Sequence, residues 1–292
     1  MIEIINHKEQ KLSKLCLSQK GMTYGKLMSL LKKKNIKIND IKTNKDIMLN
    51  VGDKITIYGF ETINKNPIDI VYQDDNLFVV NKPKGMQVKK EDVLDNMLCV
   101  EDYFEAKAVH RLDRNTEGLL ILAKNQKTEN EFKKAFKSHK IEKFYKALCY
   151  GKFHKDSEVL KGYLTKDSQT KLSKVLLQPT KNSVEIITEY KVLKNYGGVS
   201  LLEIKLITGK THQIRAHLTS INHSLVGDSK YQNKEFALAN KKIEKIVKSQ
   251  CLIAYKLKFN LEESSFLSYL NSKEFILNKN FEAELKSLGL TS

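Results

Sequence analysis

The chain has 292 residues, 41% of them hydrophobic, which is enough for one large and one small domain with packed cores. No apolar stretch approaches the ~18 residues of a membrane helix, and the chain start, with its acidic residues, lacks the apolar region of a signal peptide. A net charge of +17 favours polyanionic partners, because each neutralised phosphate releases condensed counterions; a general lysine bias is the alternative explanation.

The spacing of the four cysteines indicates the cellular compartment and gives no sign of a metal site. They are far apart in the sequence and form no Cys-x-x-Cys pair: Cys16, Cys99, Cys149 and Cys251. This spacing argues against zinc knuckles and is typical of isolated buried thiols in a reducing compartment. We therefore expect a cytoplasmic protein.

Residues 1–62 are predicted to form a small separate module. Leucines at helical spacing indicate two short helices, the second capped by Thr23. Alternating segments at 36–40 and 54–59 indicate a small sheet. The polar segment 61–67, which ends in proline, is predicted to be the linker to the rest of the chain.

Lysines cluster at the second of these helices. Residues 1–66 contain 13 Lys against six Asp and Glu. Two helices followed by a small sheet, with a basic run at the second helix, resemble the S4 RNA-binding module. A solvated lysine face on a small capping domain is the alternative. The resemblance implies these RNA-binding residues: Lys26, Lys32, Lys33 and Lys34.

Beyond the linker, predicted strands outnumber predicted helices. In chain order we predict a strand pair over 68–83, a strand over 119–125, a helix with a capping box of Thr128 and Glu131, a strand over 144–151, a hairpin turning at Gly197 and Gly198, a helix over 211–221, a strand over 252–260 and a helix over 280–289. Long hairpins interleaved with single helices lack the steady βαβ rhythm of a doubly wound parallel fold. We therefore predict an α+β domain over 68–292, with an extended, largely antiparallel or mixed sheet flanked by helices.

Arginine is rare in this chain. Of 51 basic side chains only three are arginine: Arg111, Arg114 and Arg215. Because lysine serves wherever a generic positive charge is enough, arginine indicates a need for a planar, permanently charged group that binds carboxylates, phosphates or base edges. Two of the three flank Asp113 in the sequence HRLDR, so we place the candidate chemistry there.

Four ordered segments carry a specific resemblance: DIVYQDDNLFVVNKPKGMQV (69–88), HRLDRNTEGLLILAKN (110–125), EKFYKALCYG (142–151) and GKTHQIRAHLTSINHSLVGDSKY (209–231). In this order they are similar to the motifs of the ribosomal large-subunit (RluA-type) pseudouridine synthase family, in which an S4-like module often precedes the enzyme. The resemblance implies a monomeric isomerase of uridines in structured RNA, with large-subunit ribosomal RNA as substrate and tRNA as the alternative, and with no metal or organic cofactor. Ser224 and Ser229 stand where the family usually has prolines, so the loop after Gly227 has no predicted shape.

The resemblance also assigns three catalytic residues. Asp113 matches the family's catalytic carboxylate, which acts at the ribose either as a nucleophile or as a base. Arg215 matches the cation that keeps this carboxylate charged, and we expect its guanidinium to grip both carboxylate oxygens. Tyr145 lies in the family's tyrosine strand, where its ring can stack the extruded uracil close to the C5 proton.

Further residues in the matching segments are candidates for substrate binding: Arg111, Arg114, Lys82, Thr211 and His212. Arg111 ranks above Arg114 for holding the gap left by a flipped base, because a guanidinium can stack and bind phosphate at once. Thr211 is expected to cap the helix that follows it. His212 and His217 lack metal-ligand spacing, so we predict no metal site, and His110 is expected to make a structural hydrogen bond.

Two other interpretations stay open. A non-catalytic RNA-binding protein could keep an S4-like module and a synthase-like body, but the intact set of Asp113, Tyr145 and Arg215 argues against it. A metal-dependent nuclease or phosphotransferase would need clustered carboxylates, and the motif segments add only Glu117 and Asp228 as obvious ones.

Overall fold

The computed structural model describes residues 1–19, 22, 24–60, 68–90, 99–167, 172–236 and 247–290. Thr23 and the predicted linker over 61–67 lie outside these described residues. The chain divides into two units, which we call the N-terminal and C-terminal units. The N-terminal unit comprises Met1–Pro67 with Lys89–Cys99, and the C-terminal unit comprises Ile68–Val88 with Val100–Ser292.

The N-terminal unit consists of short strands and two helices. Their bounds are β1 Ile2–Ile5, β2 Gln10–Lys11, α1 Leu12–Leu17, α2 Tyr24–Lys32, β3 Ile36–Ile38, β4 Ile41–Thr43, β5 Met48–Leu49 and β6 Lys54–Ile57. The sheet is antiparallel in the order β1-β6-β3-β4, and β2 pairs with β5. Both predicted helices and the predicted strands β3 and β6 are confirmed.

Helix α2 buries one face and exposes the other. Leu27, Leu30 and Leu31 pack in the core of the N-terminal unit, because residues three and four apart share one face of a helix. The four candidate RNA-binding lysines, on α2 and in the turn after it, are exposed: Lys26, Lys32, Lys33 and Lys34.

The C-terminal unit is built around one large sheet. Its elements are β7 Asp69–Gln73, β8 Leu77–Lys82, α3 Val100–Phe104, β9 Lys107–Ala108, β10 Glu117–Ala123, α4 Gln126–Lys137, β11 Ile141–Tyr150, β12 Ser157–Lys166, β13 Ser173–Leu176, β14 Val184–Asn195, β15 Val199–Leu206, α5 Gln213–Ser220, β16 Leu252–Phe259, β17 Glu274–Ile276 and α6 Glu282–Ser287, with 3₁₀ turns at Lys234–Phe236 and Ser268–Leu270. The strand order is β13-β12-β14-β15-β11-β16-β10-β8-β7, with β17 beside β16 and β9 beside β10. Among the described strands, β10 and β16 pair in parallel and the other pairs are antiparallel. The predicted α+β class with a largely antiparallel, mixed sheet is confirmed.

Strand β10 shows why helices cover both faces of this sheet. Leu119 and Ile121 pack in one core cluster with residues of α4, whereas Leu120 and Leu122 pack in another with residues of α5. Successive side chains of a strand point to opposite faces, so a strand buried on both faces is a continuous apolar run. No helix within the described ranges is long and apolar enough to span a bilayer.

The start of β10 requires a glycine. Gly118 pairs with Ala254 of β16 and has a φ of +127°, a conformation that other residues rarely adopt. A Cβ at this position would lie 2.2 Å from the Ala254 carbonyl oxygen. The close approach of β10 to β16 therefore determines where the loop that precedes β10, which contains Asp113, enters the sheet.

Helix α4 begins differently from the prediction. Its N-cap is Asn125, whose Oδ1 accepts a hydrogen bond of 2.9 Å from the Thr128 backbone N–H. The predicted capping box of Thr128 and Glu131 is therefore wrong. Asn125 is the N-cap because its backbone is extended and its short side chain reaches the third N–H of the helix.

Candidate active site

A cleft of about 670 Å³ opens beside the loop between β9 and β10. Its lining also includes residues of β11, the end of α4 and the segment from β15 into α5. Six of the residues predicted to form the site line this cleft: Arg111, Asp113, Tyr145, Thr211, His212 and Arg215. Lys82 and Arg114 are not among its lining residues.

Asp113 is held in a turn at one wall of the cleft. The Thr116 backbone N–H donates to the Asp113 carbonyl oxygen at 3.0 Å, which closes the turn. The carboxylate is 15% exposed, and its Oδ2 accepts a hydrogen bond of 3.0 Å from Arg215 Nη1. Arg215 thus supplies the positive charge that a carboxylate needs when most of its water is removed.

The guanidinium of Arg215 does not grip both oxygens of Asp113. Its Nε and Nη2 instead donate to Asp228 Oδ2 and Oδ1, at 2.7 and 2.9 Å. The expected two-pronged contact with Asp113 is therefore wrong. The fully buried Asp228 occupies the Nε–Nη2 edge of the guanidinium, and Nη1 donates to a single oxygen of Asp113.

Asp228 also determines the shape of its own loop. Its Oδ1 accepts hydrogen bonds from the backbone N–H groups of Lys230 and Tyr231, at 2.9 and 3.1 Å. Gly227, with a φ of +76°, allows the chain to pass Ser249, whose carbonyl oxygen would lie 2.5 Å from a Cβ at that position. Sequence reasoning missed this role of Asp228; the Gly-Asp pair at a turn was the signal that could have indicated it.

The ionisation of Arg215 reflects both carboxylates. Burial alone would lower the pKa of Arg215, but hydrogen bonds and charge from Asp228 and Asp113 together raise this pKa above its ordinary value. Arg215 therefore stays charged at any working pH. A buried pair of this kind contributes more to geometry than to net stability, because desolvation offsets much of the attraction.

His212 also lies near Asp113 Oδ2. Its Nε2 is 3.9 Å from that oxygen, and its Nδ1 is 3.0 Å from the Tyr231 hydroxyl. The Tyr231 hydroxyl oxygen accepts from the Ser173 backbone N–H at 2.8 Å, so its own hydrogen is free to go to Nδ1. This arrangement favours the neutral tautomer with hydrogen on Nε2, the nitrogen that faces Asp113.

The electrostatic surroundings of His212 agree with a neutral ring. Burial is the main cause that lowers the pKa of His212, and the positive charge of Arg215 lowers it further, against the raising effect of Asp113. The ring of Tyr231 also lies 4.8 Å from the Arg215 guanidinium carbon. Tyr231, which sequence reasoning missed, therefore contacts both partners of the candidate carboxylate.

Thr211 does not cap α5. The N-cap is His212, with a left-handed φ of 58° and no side-chain capping bond. The side chain of Gln213 organises the helix start instead, since its Oε1 accepts from the Lys210 backbone N–H at 3.0 Å. Thr211 is exposed at the cleft, so the capping prediction is wrong while its position suits contact with a substrate.

Tyr145 reaches the cleft from the buried face of β11. Its side chain is 5% exposed and packs in the main core cluster. Burial, and then the negative charge of Asp113, raise the pKa of the Tyr145 hydroxyl above its ordinary value. Tyr145 therefore presents a neutral phenol beside the candidate carboxylate.

Lys82 is a structural residue. Its fully buried ammonium donates to the carbonyl oxygens of Pro83, Met86 and Arg114, at 2.9, 2.9 and 3.0 Å. An ammonium has three hydrogens, so these contacts use all of them. Burial lowers the pKa of Lys82 to about 8, against the raising effect of Asp113 and Glu117. The prediction that Lys82 binds substrate is wrong; it ties the loop after β8 to the turn that contains Asp113.

The two arginines beside Asp113 differ in their surroundings. Arg111 is exposed and lines the cleft, so it remains a better candidate than Arg114 for binding the substrate. Arg114 is exposed outside the cleft lining, and its Nε donates to the Gly85 carbonyl oxygen at 3.0 Å. Arg114 is therefore placed to hold the loop after β8.

His110 and His217 are neutral histidines. His110 Nε2 accepts from the Ile121 backbone N–H at 3.1 Å, which confirms the predicted structural hydrogen bond. Burial lowers the pKa of His110 to about 3 and that of His217 to about 4, so both rings are neutral. Within the described part of the chain, no group of three or more His, Cys, Asp or Glu has a metal-binding arrangement.

Comparison with known proteins shows that this chain is similar to one family of enzymes. Residues 76–220 match the family model described as RNA pseudouridylate synthase. An uncharacterized RNA pseudouridine synthase of Mycoplasma capricolum is 31% identical over 274 residues, 85% of this chain and 86% of the relative. Ribosomal large subunit pseudouridine synthase C of Rickettsia felis is 33% identical over 240 residues, 73% of this chain and 78% of the relative.

Two further comparisons concern a second synthase type and the fold. Ribosomal large subunit pseudouridine synthase D of Borreliella burgdorferi is 31% identical over 228 residues, 72% of this chain and 67% of the relative. The structure of human RNA pseudouridylate synthase domain containing 4 superimposes with a TM-score of 0.60 at 21% identity, over 76% of this chain and 94% of that chain. This structural likeness supports the fold.

Proposed function

The chain belongs to the RNA pseudouridylate synthase family, and on that premise we propose that it isomerises uridines in large-subunit ribosomal RNA with Asp113 as the catalytic carboxylate. The observation that carries this assignment is the hydrogen bond between Asp113 and Arg215 at 3.0 Å, in a cleft that Tyr145 also lines. The reaction breaks the N1–C1′ bond, turns the uracil and joins C1′ to C5. An ionised carboxylate can attack C1′ or take the C2′ proton.

Each neighbour of Asp113 has a role that its surroundings support. Arg215 places a positive charge beside the carboxylate and donates one hydrogen bond to it, since its Nε and Nη2 are already bound to Asp228. Tyr145 offers an aromatic face for the uracil and a neutral hydroxyl near the carbon that loses its proton. Arg111 and Thr211, at the exposed part of the cleft, are placed to contact the flipped nucleotide and its backbone.

The substrate class rests on the relatives. Two of those that match over at least two thirds of their own length are named ribosomal large subunit pseudouridine synthases, one of type C and one of type D. We therefore favour large-subunit ribosomal RNA over tRNA as the substrate. We also propose that the enzyme acts as a monomer in the cytoplasm. The four cysteines are free and buried, as in a reducing compartment.

The proposal predicts a specific loss of pseudouridine in cells that lack the gene. Pseudouridines would be mapped in total RNA with and without the gene, and one or more positions in large-subunit ribosomal RNA should revert to uridine. Losses confined to tRNA would support the alternative substrate. An unchanged map, with purified protein that binds RNA without converting it, would support the non-catalytic interpretation. Activity that disappears on chelation of divalent metal would support the metal-dependent one.

Residues 1–62 are proposed to form an S4-like module that adds RNA affinity. We expect replacement of Lys26, Lys32, Lys33 and Lys34 by glutamine in the full chain to weaken binding of large RNA. If each lysine contacts one phosphate, the slope of log K against log salt should fall by roughly 3. The exposed lysines do not contribute to a core, so the melting temperature should stay the same. Unchanged affinity and slope would show that this lysine face is only solvated.

A further inference from the structure

Lys143 lines the same cleft as Asp113. It lies on β11 two residues before Tyr145, so both side chains project from the same face of the strand. Its Nζ is 5.4 Å from the centre of the Phe136 ring and would be 2.9 Å from a Cβ added at Gly209. The ammonium is therefore in the cleft wall, at the segment that leads from β15 to α5.

Lys143 differs from other partly buried lysines of the C-terminal unit. Three of those pair with carboxylates: Lys84 with Glu284, Lys205 with Glu142 and Lys256 with Glu274. No carboxylate among the described residues forms an ion pair with Lys143. Burial lowers the pKa of Lys143 to about 8, and no carboxylate among the described residues counteracts this shift. A partly desolvated ammonium without a counterion is a binding position for an anion.

The surroundings of Lys143 point to an anion that arrives with the substrate. Arg111, Lys137 and Lys210 add positive charge to the same cleft, and apart from Asp113 its described lining contains one acidic residue, Glu185. RNA brings its negative charge as backbone phosphates. A uridine that leaves its helix to reach Asp113 must carry the flanking phosphates toward the cleft.

We propose that Lys143 binds a backbone phosphate directly flanking the flipped uridine, and so fixes the depth at which the nucleotide enters the cleft. This inference rests on the proposed function and names one contact of its substrate. Because the Lys143 ammonium is partly buried, it is placed for the flipped nucleotide's own phosphates more than for those of the intact helix. Gly209 leaves room for the ammonium at this point of the wall.

The first test compares three full-length variants on one RNA stem-loop that contains the target uridine. Lys143→Met should raise Kd by about tenfold or more, the effect of losing one charge-assisted contact. The slope of log K against log salt should fall by about 0.7 to 0.9, as expected for one phosphate. Lys143→Arg should keep the slope. The matched control is Lys146→Met on the opposite side of β11, where Nζ contacts the Lys279 carbonyl oxygen and the Tyr255 ring, and it should change neither quantity.

The second test locates the phosphate. Neutral methylphosphonate linkages are placed singly on the 5′ and 3′ sides of the target uridine. One of them should weaken binding to the wild-type protein by about the same factor as Lys143→Met, and should add nothing in that variant, because the two changes remove the same interaction. Equal losses in both proteins at both positions would show that Lys143 contacts neither phosphate.

Failure of this inference is separable from failure of the proposed function. If the wild-type protein converts no uridine in the ribosomal RNA, the proposed function fails. If it converts uridine and Lys143→Met keeps the wild-type Kd and salt slope, the proposed function stands and the phosphate contact is overturned. A melting temperature for each variant separates lost contact from lost fold.

Discussion

Replacement of Asp113 with asparagine is expected to abolish pseudouridine formation while RNA binding and folding persist. Asparagine has almost the same shape and keeps an oxygen that can accept the hydrogen bond of Arg215 Nη1. It lacks the negative charge needed to attack C1′ or to take the C2′ proton. The single-turnover rate should fall by about 10⁴-fold or more.

The measurement for Asp113→Asn follows the C5 proton, which must leave during isomerisation. RNA labelled with tritium at C5 of uridine would release the label in proportion to conversion. Asp75→Asn, at an exposed carboxylate in the turn between β7 and β8, is the matched control and should keep the wild-type rate. Conversion by a pure Asp113→Asn protein within tenfold of wild type would remove Asp113 from the catalytic role.

Replacement of Arg215 with lysine should slow the reaction although it conserves the charge. Arg215 makes three hydrogen bonds to two carboxylates, two to Asp228 and one to Asp113. One ammonium on a flexible stem cannot reproduce this geometry. Loss of one charge-assisted contact that is felt in the transition state corresponds to roughly ten- to a hundredfold in rate. The melting temperature should also fall, because Asp228 loses its two-pronged partner while remaining buried.

Two further variants test whether the effect of Arg215→Lys comes from the site. Arg114→Lys changes an arginine that neighbours Asp113 in the sequence but lies outside the cleft lining, where its Nε donates to the Gly85 carbonyl oxygen at 3.0 Å. This change should cost much less than tenfold in rate. Asp228→Asn removes the carboxylate that orients Arg215, and should lower the single-turnover rate at saturating protein while leaving RNA affinity unchanged. Equal, near-wild-type rates in all three variants would contradict a role for Arg215 in the reaction.

Local periodicity was sufficient to predict much of the architecture. The leucines of α2 fall on one helical face, and the apolar run of β10 indicates a strand covered on both sides. Backbone geometry alone determines which residues share a face: those three or four apart in a helix and those two apart in a strand. The scarcity of arginine also led directly to Asp113 and its flanking residues. By contrast, β12 and β13 were not predicted. The buried positions of β12 include a glycine and its exposed positions include lysines, so its sequence lacks a clear alternation of apolar and polar residues.

The direction of each donor in the site was decided only by the tertiary structure. Asp113 and Arg215 are 102 residues apart in sequence, so their contact depends on how the β10 loop and α5 meet across the sheet. The sequence by itself determined that Arg215 is one of only three arginines and lies in a segment similar to the family's arginine helix. The tertiary structure decided that its Nε and Nη2 face the fully buried Asp228 and that Nη1 faces Asp113. Lys82 and Lys143 are equally ordinary lysines in the sequence. The tertiary structure gives Lys82 three carbonyl partners, whereas Lys143 has no such partner among the described residues and lines the cleft.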